Sequence, residues 1–320
     1  MNKLRIAVVG MGFIAREYHL PSLARLEREG AVELAAAVDC DEGRAGALAA
    51  QYGIRRCYAD YREMLDREAP DAVWLLLPTA IIAEAATYLL AQGVPTMIEK
   101  PPAASVAQAR ALLEVAQAHG TPHQVAFNRR YAPLLARMRA LLREAGETSA
   151  LSCQFYRHHR GEPDFGYGTG LHGLDALRFL GSGEVCAVET RPCPAGGALV
   201  TLTYTNGARA VMEMLPQVGM QSERYTAHAG ERTVMVDGVI GWLTRYPGFL
   251  RCYDAGREAL YLQNDVDEPR EVLGGFYGES AHFVHRLQGG EKTAPDLAAS
   301  LRSLEIAEAV QRGVTATFPV

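Results

Sequence analysis

The chain has 320 residues, of which 48% are hydrophobic and 22% charged, and a net charge of −5. Its length exceeds what one hydrophobic core usually sustains, so two domains are expected, and its ordinary composition favours neither a disordered nor a coiled-coil chain. The acidic balance argues against nucleic acid or an anionic membrane as partner and leaves a small molecule.

The six cysteines, Cys40, Cys57, Cys153, Cys186, Cys193 and Cys252, include no Cys-x-x-Cys pair. Neither a disulfide framework nor a metal site is therefore expected. The first residues lead directly into a strand pattern without the features of a signal peptide, and no run has the length of a membrane span. A cytoplasmic location is the expectation.

Arg5 to Val9 reads as a strand buried on both faces. It runs into Gly10-Met11-Gly12-Phe13-Ile14-Ala15, which fits the dinucleotide fingerprint G-x-G-x-x-G/A. Gly10 allows the tight turn, Gly12 a close approach of pyrophosphate, and Ala15 the packing of helix on strand. The amides opening the following helix would face the phosphates. A second strand, Val32 to Val38, ends at Asp39, where a carboxylate can accept hydrogen bonds from the adenosine ribose and repel a 2′-phosphate. NAD is the expected cofactor, with NADP as the alternative because Arg44 could pair with that phosphate. Asp39 could equally belong to the approach to the next helix, with Asp41 as its cap.

The alternation continues with a helix over Glu42–Tyr52, a strand over Ala72–Leu77, a helix over Ile81–Gln92 ended by Gly93, and a strand over Val94–Ile98. A helix over Val106–His119 ended by Gly120 and a strand over His123–Phe127 follow. Five strands with intervening helices predict a doubly wound parallel sheet, an α/β Rossmann domain over residues 1–125. Ligands of such sheets bind beyond the carboxyl ends of the strands. There the chain places Glu99-Lys100-Pro101, where the proline fixes the next φ and would aim the Lys100 ammonium into the crevice. Taken alone, Lys100 reads equally as a solvated surface lysine.

Residues 126–320 read as an α+β domain with an open, largely antiparallel sheet. Strands are predicted over Leu151–Tyr156, Val185–Thr190, Ala198–Tyr204, Ala208–Glu213, Glu223–Ala229, Thr233–Val236 and Glu258–Leu262, with Asn206-Gly207 as a hairpin turn. A helix is expected near Leu171–Leu180, and two more, Glu279–Leu287 and Ala298–Gln311, close the chain and could pack back towards the first domain. In Tyr156-Arg157-His158-His159-Arg160, strand alternation would point the two histidines apart, which disfavours a shared metal and leaves Tyr156 as a candidate substrate contact. His19, His119, His123, His228, His282 and His285 lack a partner at motif spacing and read as structural.

Together, Gly10-Met11-Gly12-Phe13-Ile14-Ala15, Asp39, Glu99-Lys100-Pro101, Val125-Ala126-Phe127-Asn128-Arg129-Arg130-Tyr131 and His172-Gly173-Leu174-Asp175 resemble the Gfo/Idh/MocA family of nicotinamide-dependent oxidoreductases. The resemblance implies hydride transfer between NAD(P) and a sugar, polyol or related alcohol, and a homodimer or homotetramer formed through the second-domain sheet. It implies cofactor contacts from Gly10, Gly12, Phe13, Ile14, Asp39, Pro78, Glu99 and Lys100. Lys100 would act near nicotinamide and substrate, and His172 as acid/base. Arg130 and Asp175 are candidate contacts to substrate, or, for Asp175, to His172 one helical turn away. Two positions depart from the family pattern: Gly168 stands where an acidic residue commonly precedes the histidine, and Ile82 where a histidine commonly follows the strand-end proline. They leave open a cofactor-binding protein without turnover, or one that uses bound NAD for hydrolysis or elimination on a sugar.

Overall fold

Short runs of branched and small apolar residues make the strands of the first unit. In the computed structural model, which describes residues 3–243 and 246–319, this unit comprises Met1–Phe127 and Phe276–Leu301. Its strands are β1 (Leu4–Val9), β2 (Val32–Val38), β3 (Cys57–Tyr58), β4 (Ala72–Leu75), β5 (Thr96–Glu99) and β6 (His123–Ala126). All pair in parallel in the order β3-β2-β1-β4-β5-β6. The order reverses between β1 and β4, which opens a crevice beyond their carboxyl ends. The sequence predicts five strands; the sixth, β3, has two residues, too few to show a period.

Helices α1 (Leu20–Arg28), α2 (Glu42–Gln51), α3 (Tyr61–Glu68), α4 (Thr79–Ala91) and α5 (Val106–His119) connect them. The carboxylate of Asp41 caps α2 by accepting from the Arg44 amide at 3.0 Å, and α5 ends at Gly120 in the left-handed region. Helix α3 has no counterpart in the sequence reading. Ahead of α1, Ala15–His19 form a π-helical turn. Later in the chain Phe283 and Val284 enter the same core, with the Phe283 ring 5.4 Å from that of Trp74.

The second unit comprises Asn128–Gly275 and Arg302–Val320. It contains α6 (Pro133–Ala145), β7 (Thr148–Tyr156), α7 (Leu171–Leu180), β8 (Val185–Pro192), β9 (Ala198–Tyr204), β10 (Arg209–Leu215), β11 (Ser222–Ala229), β12 (Arg232–Asp237), β13 (Phe249–Asp254) and β14 (Arg257–Gln263). Helices α8 (Arg270–Leu273), α9 (Phe276–Gly289, in the first unit) and α10 (Leu297–Gln311) follow, and β15 (Ala316–Thr317) closes the chain. The nine strands run in the order β14-β13-β12-β11-β7-β10-β9-β8-β15. Every pairing is antiparallel except that of β7 with β10. The sheet is thus open and largely antiparallel, as the sequence predicts, with α6 and β13 as elements the sequence reading did not contain.

One face of this sheet carries Leu151, Cys153, Phe155, Met212 and Met214, all buried. Helix α7 lies against it so closely that a Cβ on Gly173 would come 2.6 Å from Met212 Cε and 2.8 Å from Phe155 Cδ2. A Cβ on Gly170 would meet Met214 Sδ at 2.4 Å. Close packing of helix on sheet therefore accounts for these two glycines around His172.

Candidate functional site

Beyond the ends of β1, β2 and β4 lies a cleft of about 570 Å³, bordered by Gly10, Gly12, Phe13, Ile14, Asp39, Pro78 and Glu99. Seven of the eight cofactor residues implied by the resemblance thus share one cavity. Gly10 has φ +96°, and a Cβ there would stand 2.4 Å from the Leu76 carbonyl oxygen, so the turn admits no side chain. Gly12 has nothing within 4 Å of its Cβ position, which leaves the backbone open to a bulky anion. Helix begins at Phe13, and the amides of its first turn lack acceptors within the helix.

Asp39 stands at the end of β2 with both oxygens engaged. Oδ2 accepts from the Met11 amide at 2.8 Å and Arg44 Nε at 3.2 Å, and Oδ1 from the Asp41 amide at 2.9 Å and Arg44 Nη2 at 2.6 Å. Partial burial acts to raise the Asp39 carboxyl, but Arg44 and the two amides outweigh it and hold the group below its usual range. An ionised acceptor at the rim suits a ribose diol, and the guanidinium beside it suits a phosphate. These residues fit a nicotinamide dinucleotide: a side-chain-free turn, open amides and a carboxylate at the ribose position.

Among the cleft residues that the sequence reading did not assign are Tyr61, Ala59 and Ile81. Tyr61 and Ala59 flank Asp60, whose side chain caps α3; that aspartate was the available signal. Ile81 lines the cleft, whereas Ile82, the departure from the family pattern, is fully buried in α4. Ile82 therefore packs in the core and does not border the cleft.

Lys100 follows β5 directly and is half-buried, and the Lys100–Pro101 peptide is cis. His172 is the second residue of α7, half-buried, and follows a π-helical turn over Gly166–Gly170. Gly168 leaves room beside a carboxylate, since Asp164 Oδ2 lies 3.4 Å from its Cβ position.

The candidate substrate contacts Asp175, Arg130 and Tyr156 are engaged with neighbours in the second unit. Asp175 is 0% exposed and accepts from Arg130 Nε and Nη2 at 2.8 and 2.7 Å and from the Ser303 hydroxyl at 2.7 Å. Removing either partner of so enclosed a charge pair would leave an uncompensated buried charge. Tyr156 lies on the sheet face opposite α7, its hydroxyl donating to Glu213, and burial and that carboxylate push the phenol up to about 12. Strand β7 ends at Tyr156, so alternation does not extend to His158 and His159. Their rings lie 3.8 Å apart, where the sequence reading points them away from each other. Among the described residues no group of three or more His, Cys, Asp or Glu could hold a metal ion, and no helix is long and apolar enough to cross a membrane.

Residues 4–127 match the model of the oxidoreductase family with an NAD-binding Rossmann fold, Gfo/Idh/MocA. A D-xylose 1-dehydrogenase (NADP(+)) of Haloferax volcanii is 27% identical over 227 residues, 66% of this chain and 69% of that relative. An inositol 2-dehydrogenase of Saccharopolyspora erythraea is 28% identical over 217 residues, 66% of this chain and 63% of the relative. The fold extends further than these sequence matches. An oxidoreductase from Agrobacterium radiobacter, solved with NAD+, L-tartaric acid and magnesium, superimposes with a TM-score of 0.82 at 20% identity, covering 98% of both chains. The fold and the glycine-turn cleft define a dinucleotide-binding protein of the Rossmann class. Over residues 4–127 the chain is similar to the Gfo/Idh/MocA oxidoreductase family.

Proposed function

We propose that the protein is an NAD(P)-dependent dehydrogenase, or the reverse reductase, acting on a secondary alcohol or ketone of a sugar, polyol or related small molecule. The observation that carries this reading is the Asp39 carboxylate at the rim of a cleft whose floor is the Gly10–Gly12 turn. Relatives named for xylose and inositol support the substrate class. Bound cofactor would supply the hydride acceptor. Gly10, Gly12, Phe13 and Ile14 would hold its phosphates, Asp39 its adenosine ribose, and Pro78 and Glu99 the half nearer the reaction.

As hydride leaves the carbinol carbon, its hydroxyl must lose a proton and the growing alkoxide must be stabilised. An ammonium suits the second task and an imidazole, with an ordinary value near 6.5, the first. Lys100 is proposed as substrate anchor and electrostatic catalyst, and His172 as general base. A cytoplasmic location, where thiols stay reduced, accords with six scattered cysteines.

The second sheet supports assembly into a homodimer or homotetramer. Its open face exposes Leu199 at 44% and Val211 at 48% on the paired strands β9 and β10, and apolar side chains on a sheet surface commonly mark contacts.

Initial rates of NADH and NADPH formation over a panel of aldoses, inositols and acyclic polyols test the activity. Turnover with at least one of them is expected. Tight cofactor binding with no reduced cofactor formed from any would favour a binding protein without turnover, and sugar products without net NADH would favour elimination or hydrolysis.

A further inference from the structure

His19 has no role in the reading above, yet it is wholly buried beside the cofactor cleft. It ends the π-helical turn that follows the glycine turn, and its side chain is 0% exposed. Nε2 lies 3.2 Å from Glu99 Oε2, so the carboxylate selects the tautomer protonated at Nε2. The ring stands edge-on to Phe276 at 5.5 Å, and Tyr18 stacks on the same Phe276 at 4.5 Å. Nδ1 has no hydrogen-bond partner among the described residues. Leaving one ring nitrogen unsatisfied in a buried site costs free energy, and the arrangement that incurs this cost presents Nε2 to Glu99.

Glu99 closes β5 and borders the cleft, with its side chain 12% exposed. A carboxylate on the last residue of a strand has torsional freedom, and a ring fixed in a π-turn removes it. Such turns recur at functional sites because the extra residue re-aims the side chains that follow.

We infer that His19 is a positioning residue, which holds the Glu99 carboxylate at the cleft wall to receive the hydroxyls of the cofactor's second ribose, the one that bears the nicotinamide. The inference rests on the cofactor reading given above. It assigns to His19 a contribution to the nicotinamide half of the cofactor and none to the adenosine half, which belongs to Asp39. It also states that His19 acts through Glu99 rather than by supporting the glycine turn.

The test compares equilibrium binding of NADH with that of ADP, which lacks the second ribose, in wild type, His19→Leu, Glu99→Gln and the double variant. His19→Leu is expected to weaken NADH on the order of tenfold, the effect of losing one hydrogen bond to a charged group, and to leave ADP unchanged. Glu99→Gln should weaken NADH similarly, the double variant should be no weaker than Glu99→Gln alone, and His19→Gln, which keeps an N–H donor, should recover most of the loss. If His19→Leu does not fold, His19→Asn, whose amide ends short of the Nε2 position, takes its place. Equal weakening of ADP and NADH, or additive losses in the double variant, would overturn the inference while the cofactor reading stands. A wild-type protein that binds ADP but not NADH would overturn both.

Discussion

Replacing Lys100 by Met should lower kcat by roughly 10²–10³-fold, the scale of a lost electrostatic contact to a developing oxyanion. Replacing His172 by Asn should lower it by roughly 10²–10⁴-fold, the range for a general base. Both changes should lower kcat far more than they lower NADH affinity, because neither removes a residue that holds the phosphates or the adenosine ribose. Wild-type turnover in either would remove its catalytic assignment. Arg44 bears on cofactor choice: it is half-exposed and holds Asp39 through two hydrogen bonds. Arg44→Ala should therefore raise KM for NADP more than KM for NAD, by about tenfold in the ratio if one charge-assisted contact to the 2′-phosphate is lost. An unchanged ratio would show that Arg44 does not read that phosphate. At this scale the sequence was most informative where backbone chemistry demands one residue type, as at Gly10, and at Asp39, which a strand end presents. It was least informative for long charged side chains. Nothing local distinguishes Arg130, bound to buried Asp175, from an arginine awaiting substrate.

The same contrast holds among the elements. Strands β1, β2 and β4–β6 were legible because short, mainly apolar runs alternate there with helical segments. Helix α3 was not, since of its eight residues only Met64 and Glu68 are buried and the chain there reads as charged loop. The parallel pairing of β7 with β10 depends on contacts far apart in sequence and leaves no local trace. On the other side of β7, Glu223 of β11 accepts from Arg129 Nε at 3.0 Å and Nη2 at 2.8 Å and pairs with Arg157 as well. Burial acts to raise this carboxyl, but the two guanidinium groups prevail and hold it at about 2, below its ordinary 4.5. The folded-state value is the lower one, so this cluster's contribution is fully present above about pH 4.5 and is lost as the pH falls towards 2. Glu223→Gln leaves two buried arginines short of their counter-ion. It should destabilise the protein by about 3–5 kcal/mol and make the dependence of stability on pH shallower between pH 4.5 and 2, as measured by urea unfolding across that range. An unchanged slope would mean that the triad is not the acid-sensitive element.

For the molecule as a whole, the open face of the nine-stranded sheet bears on assembly. A further charge at exposed Val211 should prevent like faces from meeting, so Val211→Glu is expected to reduce the mass found by sedimentation equilibrium to that of a monomer. The α7 side of the sheet is untouched by this change, and thermal stability should alter little beyond the loss of assembly. A wild-type monomer, or an unaltered Val211→Glu oligomer, would remove this face from the account. Nothing in the sequence orders the strands across that face; only the alternation within each one indicates that a face exists. The proposed activity requires the cleft beyond β1 and β2 to be a dinucleotide site organised by Asp39. Fluorescence titration of NADH into wild-type protein and Asp39→Ala tests it most directly. Saturable wild-type binding is predicted, weakened at least tenfold by the substitution because the adenosine ribose loses a charged acceptor. Equal NADH affinity in the two proteins, or none in wild type, would contradict it.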